Sequence, residues 1–286
     1  MGRILMAALS LLLASSVAQA DEGRKPLRDR IEASMLVPGT IHVDPQGRVE
    51  KFEIAQRETL PEPVTRLLDQ AIPAWRFEPT LHDGKPAHVE TSMRIRVAAT
   101  KQGEDAVALR IAGASFGGQD PTGENEPNGQ LFKGRLAPPS YPRAAIRHGA
   151  MATVHILGRV GLDGTMQEAI AEQVNLRFMG RERVMDEFRE DFAKASISAA
   201  MRWKFNVPGD VDRSKGYWSV RVPVDFSIND FEVPGPREWD SYIPGPRKTA
   251  WWVEDDAKHG GDSYVSGGIY PVGGGLKLLT PLQGNG

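Results

Sequence analysis

At 286 residues the chain is longer than a typical single domain, so two modules and a tail are the natural division. Its formal net charge is -2 and Lys and Arg are interspersed with Asp and Glu, which provides no basic face or run and argues against nucleic acid as a partner. It contains no cysteine, which removes disulfides, thiolate metal sites and cysteine nucleophiles together.

Residues 1–20 read as an export signal: Arg3 supplies positive charge, residues 4–13 are apolar, and Ala18-Gln19-Ala20 is a small-x-small cleavage site. The expected mature chain begins at Asp21 in the periplasm. The uncharged stretch 4–20 also approaches the length of a membrane-spanning helix, so an inner-membrane anchor is the alternative.

A first series of signals then occupies residues 21–112. Thr40-Ile41-His42-Val43, the turn Asp44-Pro45-Gln46-Gly47 and the run 49–54 predict a β-hairpin. Leu60-Pro61-Glu62-Pro63 opens a helix whose apolar residues Val64, Leu67, Leu68, Ala71 and Ile72 share one face, and Pro73 ends it. Trp75-Arg76-Phe77-Glu78-Pro79 and the turn at Asp83-Gly84 follow. Val89, Thr91, Met93, Ile95 and Val97 then alternate with polar residues, the mark of a half-buried strand.

Residues 113–134, rich in Gly, Asp, Glu, Asn and Pro, are expected to be a linker. The same order returns in residues 135–230. Thr153-Val154-His155-Ile156 and Asp163-Gly164 form the hairpin signal. Val184, Phe188, Phe192, Ala195 and Ala199 line a longer helix, Trp203-Lys204-Phe205 follows, and Val220, Val222, Val224, Phe226 and Ile228 alternate in a last strand. Trp75 with Phe77, and Trp203 with Phe205, lie two apart and so face one side, where they are expected to pack the core. The turn glycines Gly47, Gly84 and Gly164 read as positions of positive φ. Residues 231–286 repeat Pro-Gly-Pro-Arg and become Gly-rich around Trp239, Trp251, Trp252, Tyr264 and Tyr270; this tail is expected to be extended, or to fold back over an exposed sheet.

The second series resembles the C-terminal domain of the energy transducer TonB. The resemblance rests on Pro139-Ser140-Tyr141-Pro142-Arg143-Ala144-Ala145, the turn Asp163-Gly164, Trp203-Lys204-Phe205 with Pro208, and Val222-Pro223-Val224-Asp225-Phe226. The first series is a reduced copy, without a Tyr-Pro segment before its hairpin. The resemblance implies an α+β fold of two small units, each an antiparallel sheet of about three strands packed on one or two helices, followed by an irregular tail. It also implies recognition of an extended segment of an outer-membrane receptor or other envelope protein by strand addition. On that reading the strand 219–228 is the candidate edge, with Ser219, Arg221 and Asp225 facing a partner and Tyr141 and Pro142 as its rim.

Chemistry is sparsely signalled. No Walker loop or His-Glu-x-x-His is present. His82 and His88 flank one turn without further evident ligands, and Asp186, Glu187, Glu190 and Asp191 are interleaved with Arg181, Arg183, Arg189 and Lys194 as on a solvated helix face. No catalytic residue, cofactor, metal or small-molecule substrate is expected. A homodimer is left open, as are an anchored transducer and a self-packed structural envelope protein.

Overall fold

The computed structural model describes residues 27–102, 106–117, 136–207, 213–228, 231, 233–253, 268–272 and 275–282. The expected export signal lies outside them, and among the described residues no helix is long and apolar enough to cross a membrane. In chain order the elements are β1 (Glu32–Val43), β2 (Val49–Ile54), α1 (Glu62–Ala71), β3 (Leu81–His82), β4 (Lys85–Pro86), β5 (Val89–Gln102), β6 (Ala106–Phe116), α2 (Arg143–Arg147), β7 (Met151–Gly161), β8 (Met166–Arg177), α3 (Glu182–Ala200), β9 (Tyr217–Phe226), β10 (Trp239–Tyr242) and β11 (Tyr270–Pro271). The fold is α+β with antiparallel sheets.

Both units are organised in the same way. A central strand pairs on one side with the next strand of its hairpin and on the other with the strand after the helix, as β2-β1-β5 and as β8-β7-β9. The hairpin turn and the aromatic strand interlock identically in each. Gly47 has φ 78° and its carbonyl accepts the N–H of Phe77 at 2.8 Å; Gly164 has φ 79° and its carbonyl accepts the N–H of Phe205 at 2.8 Å. A Cβ at either glycine would overlap the carbonyl oxygen of that same phenylalanine, so the turn demands glycine for space as well as for φ.

Apolar periodicity accounts for the cores. Val64, Leu68 and Ala71 of α1 are buried against Trp75, Phe77, Ile41, Met93 and Ile95, and Trp75, Phe77 and Phe116 pack edge to face. In the second unit Met185, Phe188, Phe192 and Ala199 of α3 bury against Val154, Ile156, Val220 and Val222, with Trp203, Phe205 and Trp218 at one end. Val184 and Ala195 sit at the margin of that face rather than within it.

Two expectations are corrected. The sheets contain five and four strands, not about three, because β6 and two strands of the tail join them. The first unit does not end at residue 112: β6 pairs with β5 along its length and runs to Phe116, which is buried in the core, so the start of the expected linker is sheet. Residues 118–135 lie outside the described residues. The tail supplies the remaining strands. β10 pairs with β1, Ile243 exchanges backbone hydrogen bonds with Leu176 of β8, β11 pairs with β9, and Leu278 bridges to Phe77. Ala250 and Trp252 cover Leu157 on the face of the second sheet opposite α3, and Leu276 and Leu278 enter the first core. The tail thus folds back, burying apolar side chains that would otherwise face water.

Candidate functional site at the outer edge of the second sheet

β9 lies between β7 and β11. Its pairing with β7 runs from Tyr217 opposite Gly161 to Phe226 opposite Ala152. The N–H of Val272 donates to the carbonyl of Ser219 at 2.8 Å, so the backbone polar groups of Ser219 point away from β7. Those groups alternate sides along a strand, which places Arg221, Pro223 and Asp225 on the same outer edge. Pro223 has no N–H, so the edge lacks a donor at that position; proline is a common means of blunting an exposed edge.

The edge already carries an added strand. β11 runs antiparallel to β9, with Tyr270 opposite Arg221 and Pro271 opposite Val220. Beyond Arg221, toward Phe226, no strand among the described residues pairs with this edge.

The candidate side chains lie differently from the expected outward row. Arg221 is 3% exposed and grips Glu172 with two bonds, Nε to Oε2 at 2.8 Å and Nη2 to Oε1 at 2.9 Å. Glu172 is itself buried, and is the extra residue of a β-bulge in β8 between the partners of His155 and Ile156. Ser219 is also buried. Asp225 accepts a hydrogen bond from Thr153 and lies 3.5 Å from Arg177, whose Nε and Nη2 hold Asp240 at 2.9 and 2.6 Å. Burial opposes the charge of Arg177, but Asp240 and Asp225 outweigh it and hold its pKa above the ordinary guanidinium value. Arg221 is therefore buried in an ion pair rather than facing outward, and Asp225, partly buried, is held by Thr153 and Arg177. Gln173 joins this buried polar layer by donating to the carbonyl of Gly245 at 2.9 Å.

Tyr141 packs against the second core and, partly exposed, lines the same depression as Pro142. Its ring meets Phe192 and Phe226 edge to face at 5.7 and 5.4 Å, its hydroxyl donates to the Ala150 carbonyl at 2.8 Å, and burial raises its pKa. Pro142 precedes α2 and lines a shallow depression with Arg143, Asp191, Lys194 and Ser198, on the α3 side of the sheet. Trp75, Phe77, Trp203 and Phe205 are core residues, as their spacing predicts. His82 and His88 stand near Asp83 and Glu50 respectively, and among the described residues no three His, Cys, Asp or Glu side chains cluster as a metal site.

Two residues at this edge carry no evident sequence signal. Arg94 of β5 is 2% exposed, donates through Nη1 to the Gly117 carbonyl at 3.0 Å, and lies with its guanidinium carbon 5.5 Å from the centre of the Tyr270 ring. Tyr270 is 2% exposed, so the edge of the second sheet and a cation of the first enclose one aromatic ring. In the sequence Tyr270 stands only as one of several aromatic residues of the Gly-rich tail. The chain matches no family model, no curated protein and no solved structure.

Proposed function

We propose that this chain is a non-enzymatic, exported protein-binding module of the TonB C-terminal type, working in the periplasm of a Gram-negative envelope. It recognises an extended segment of an outer-membrane receptor or other envelope protein by adding that segment as a strand to the outer edge of β9. The observation that carries the reading is that this edge already accepts an antiparallel strand from a distant part of the chain, Tyr270–Pro271. The motif order from Tyr141-Pro142 through Asp163-Gly164 and Trp203-Lys204-Phe205 to Val222-Pro223-Val224-Asp225-Phe226 supports the family likeness.

The test is capture of partners from envelope extract by the full mature chain, compared with Ser219→Pro. That substitution removes a donor on the outer edge and leaves the β7 ladder intact, whereas proline at Val222 or Val224 would break pairing with β7. Capture is expected to be lost; unchanged capture by a folded variant overturns the reading.

A second reading is favoured by one observation: the tail covers edges of β1, β8 and β9 together. On it the chain is a self-packed structural envelope protein, and the mature chain would capture nothing with or without the substitution. Anchored transduction would instead require the purified protein to begin at Met1 rather than Asp21.

A further inference from the structure

Resting on the strand-addition reading, we propose that the slot between the outer edge of β9 and Arg94 recognises a short extended segment in which an aromatic residue is followed by proline. Tyr270–Pro271 is the chain's own resident copy of that segment, and a partner must displace it.

The ladder fixes the order of the two residues. Ser219 pairs with Val272 through the Val272 N–H, and the next position at which an added strand can bond to this edge is Tyr270 opposite Arg221. Pro271 falls between them, opposite Val220, where the backbone nitrogen of the added strand points away from β9. Proline is therefore free of cost there and would forfeit a hydrogen bond one residue to either side. It also restricts the residue before it to extended backbone, which pre-orders the aromatic residue for pairing.

The aromatic position is set by Arg94. A buried guanidinium 5.5 Å from the ring centre, in a site where the ring is 2% exposed, favours an aromatic face over an aliphatic side chain of equal size. The residue before it, Ile269, packs in the second core, so an apolar residue is preferred there. Pro223 stands at the next outward position of β9 and offers no N–H, which ends the ladder and keeps the motif short. Among the described residues the resident segment holds the edge through the registered pair Tyr270 and Pro271 and the Val272 N–H on Ser219, a short contact that an external strand can replace.

The experiment uses the full mature chain and a fluorescent peptide of residues 268–272, Gly-Ile-Tyr-Pro-Val, blocked at both ends. Wild type is expected to bind it weakly because its own segment competes. Tyr270→Ala is expected to bind roughly tenfold more tightly, and a peptide with Ala in place of Tyr to bind about tenfold more weakly than the parent, the ratio that one desolvated cation–π contact of about 1.4 kcal/mol provides. Val272→Pro, which removes the bond to Ser219, is the second opened variant should Tyr270→Ala fail to fold. Equal binding of the Tyr and Ala peptides, or no gain in either folded variant over wild type, overturns the proposal. If capture of envelope partners still depends on Ser219 while the Tyr and Ala peptides bind alike, the aromatic-proline slot falls and strand addition stands. If peptide binding follows the prediction but no envelope partner is captured, the slot stands and the proposed function falls.

Discussion

Arg221 and Glu172 show how much one charged pair can bind together in this protein. Both side chains are nearly solvent-free and meet through two parallel hydrogen bonds, a geometry that compensates part of the desolvation cost of each charge. Removing one partner leaves the other buried and uncompensated. Arg221→Met alone is expected to cost about 3–5 kcal/mol in urea unfolding, and Glu172→Gln a similar amount, whereas replacing both with Met should recover most of the loss. Additive losses would show that the two groups are not coupled. From sequence, Arg221 occupies a polar position of an alternating strand, which reads as solvent-facing; alternation identifies its face and says nothing about what covers that face.

The recurring element is a hairpin locked to an aromatic strand. In both units a glycine of positive φ receives the backbone N–H of a phenylalanine, and in both the neighbouring residues form a bridge, Arg48 with Arg76 and Thr165 with Lys204. Gly84 has φ 75° but no atom within 4 Å of a Cβ, so it separates backbone strain from overlap. Gly84→Ala should cost about 1 kcal/mol. Gly47→Ala and Gly164→Ala should each cost distinctly more, about 2–3 kcal/mol, because the carbonyl of Phe77 or Phe205 must also shift. Urea midpoints at constant slope report the difference, and equal losses at all three sites would show that the interlock adds nothing. These hairpins and the faces of both helices were legible because turn chemistry and apolar period are local properties. β6 was not: Val107, Leu109 and Ile111 alternate between Gly103-Glu104-Asp105 and Gly117, but the period slips at a bulge where Ala112 has no partner on β5, and the strand's length is set by its pairing with β5.

Across the whole molecule the tail is the connecting thread. It pairs with β1, passes to Leu176 of β8, lays Ala250 and Trp252 on Leu157, pairs with β9 and returns to Phe77 of the first unit. Arg30 adds a cross-link from the start of the first unit to Glu182 at the head of α3, at 2.8 Å. With both units tied into one network, the full chain is expected to unfold in a single cooperative transition. Truncation after residue 230 removes Leu276 and Leu278 from the first core and the cover of the second sheet. It should lower the melting temperature by at least about 10 °C, since each lost buried leucine alone is worth about 2–5 kcal/mol, and should resolve two transitions. Calorimetry of the two chains decides; an unchanged single transition would mean that the tail is a passive cover.

Period-two and helical spacing, proline stops and glycine turns were sufficient on their own to determine that the chain contains two αβ units of the same order, and which side chains of α1, α3, β5 and β9 share a face. They are local, and the side chains that create them are in the sequence. Which edges stay open, whether the polar face of a sheet meets water, and where the tail goes were decided by tertiary structure. Backbone N–H and C=O groups are the same in every residue but proline, so an edge carries almost no sequence mark of the strand that will fill it. Here the filling strand comes from the tail, and Arg221, read as outward from the sequence, is buried in an ion pair with Glu172.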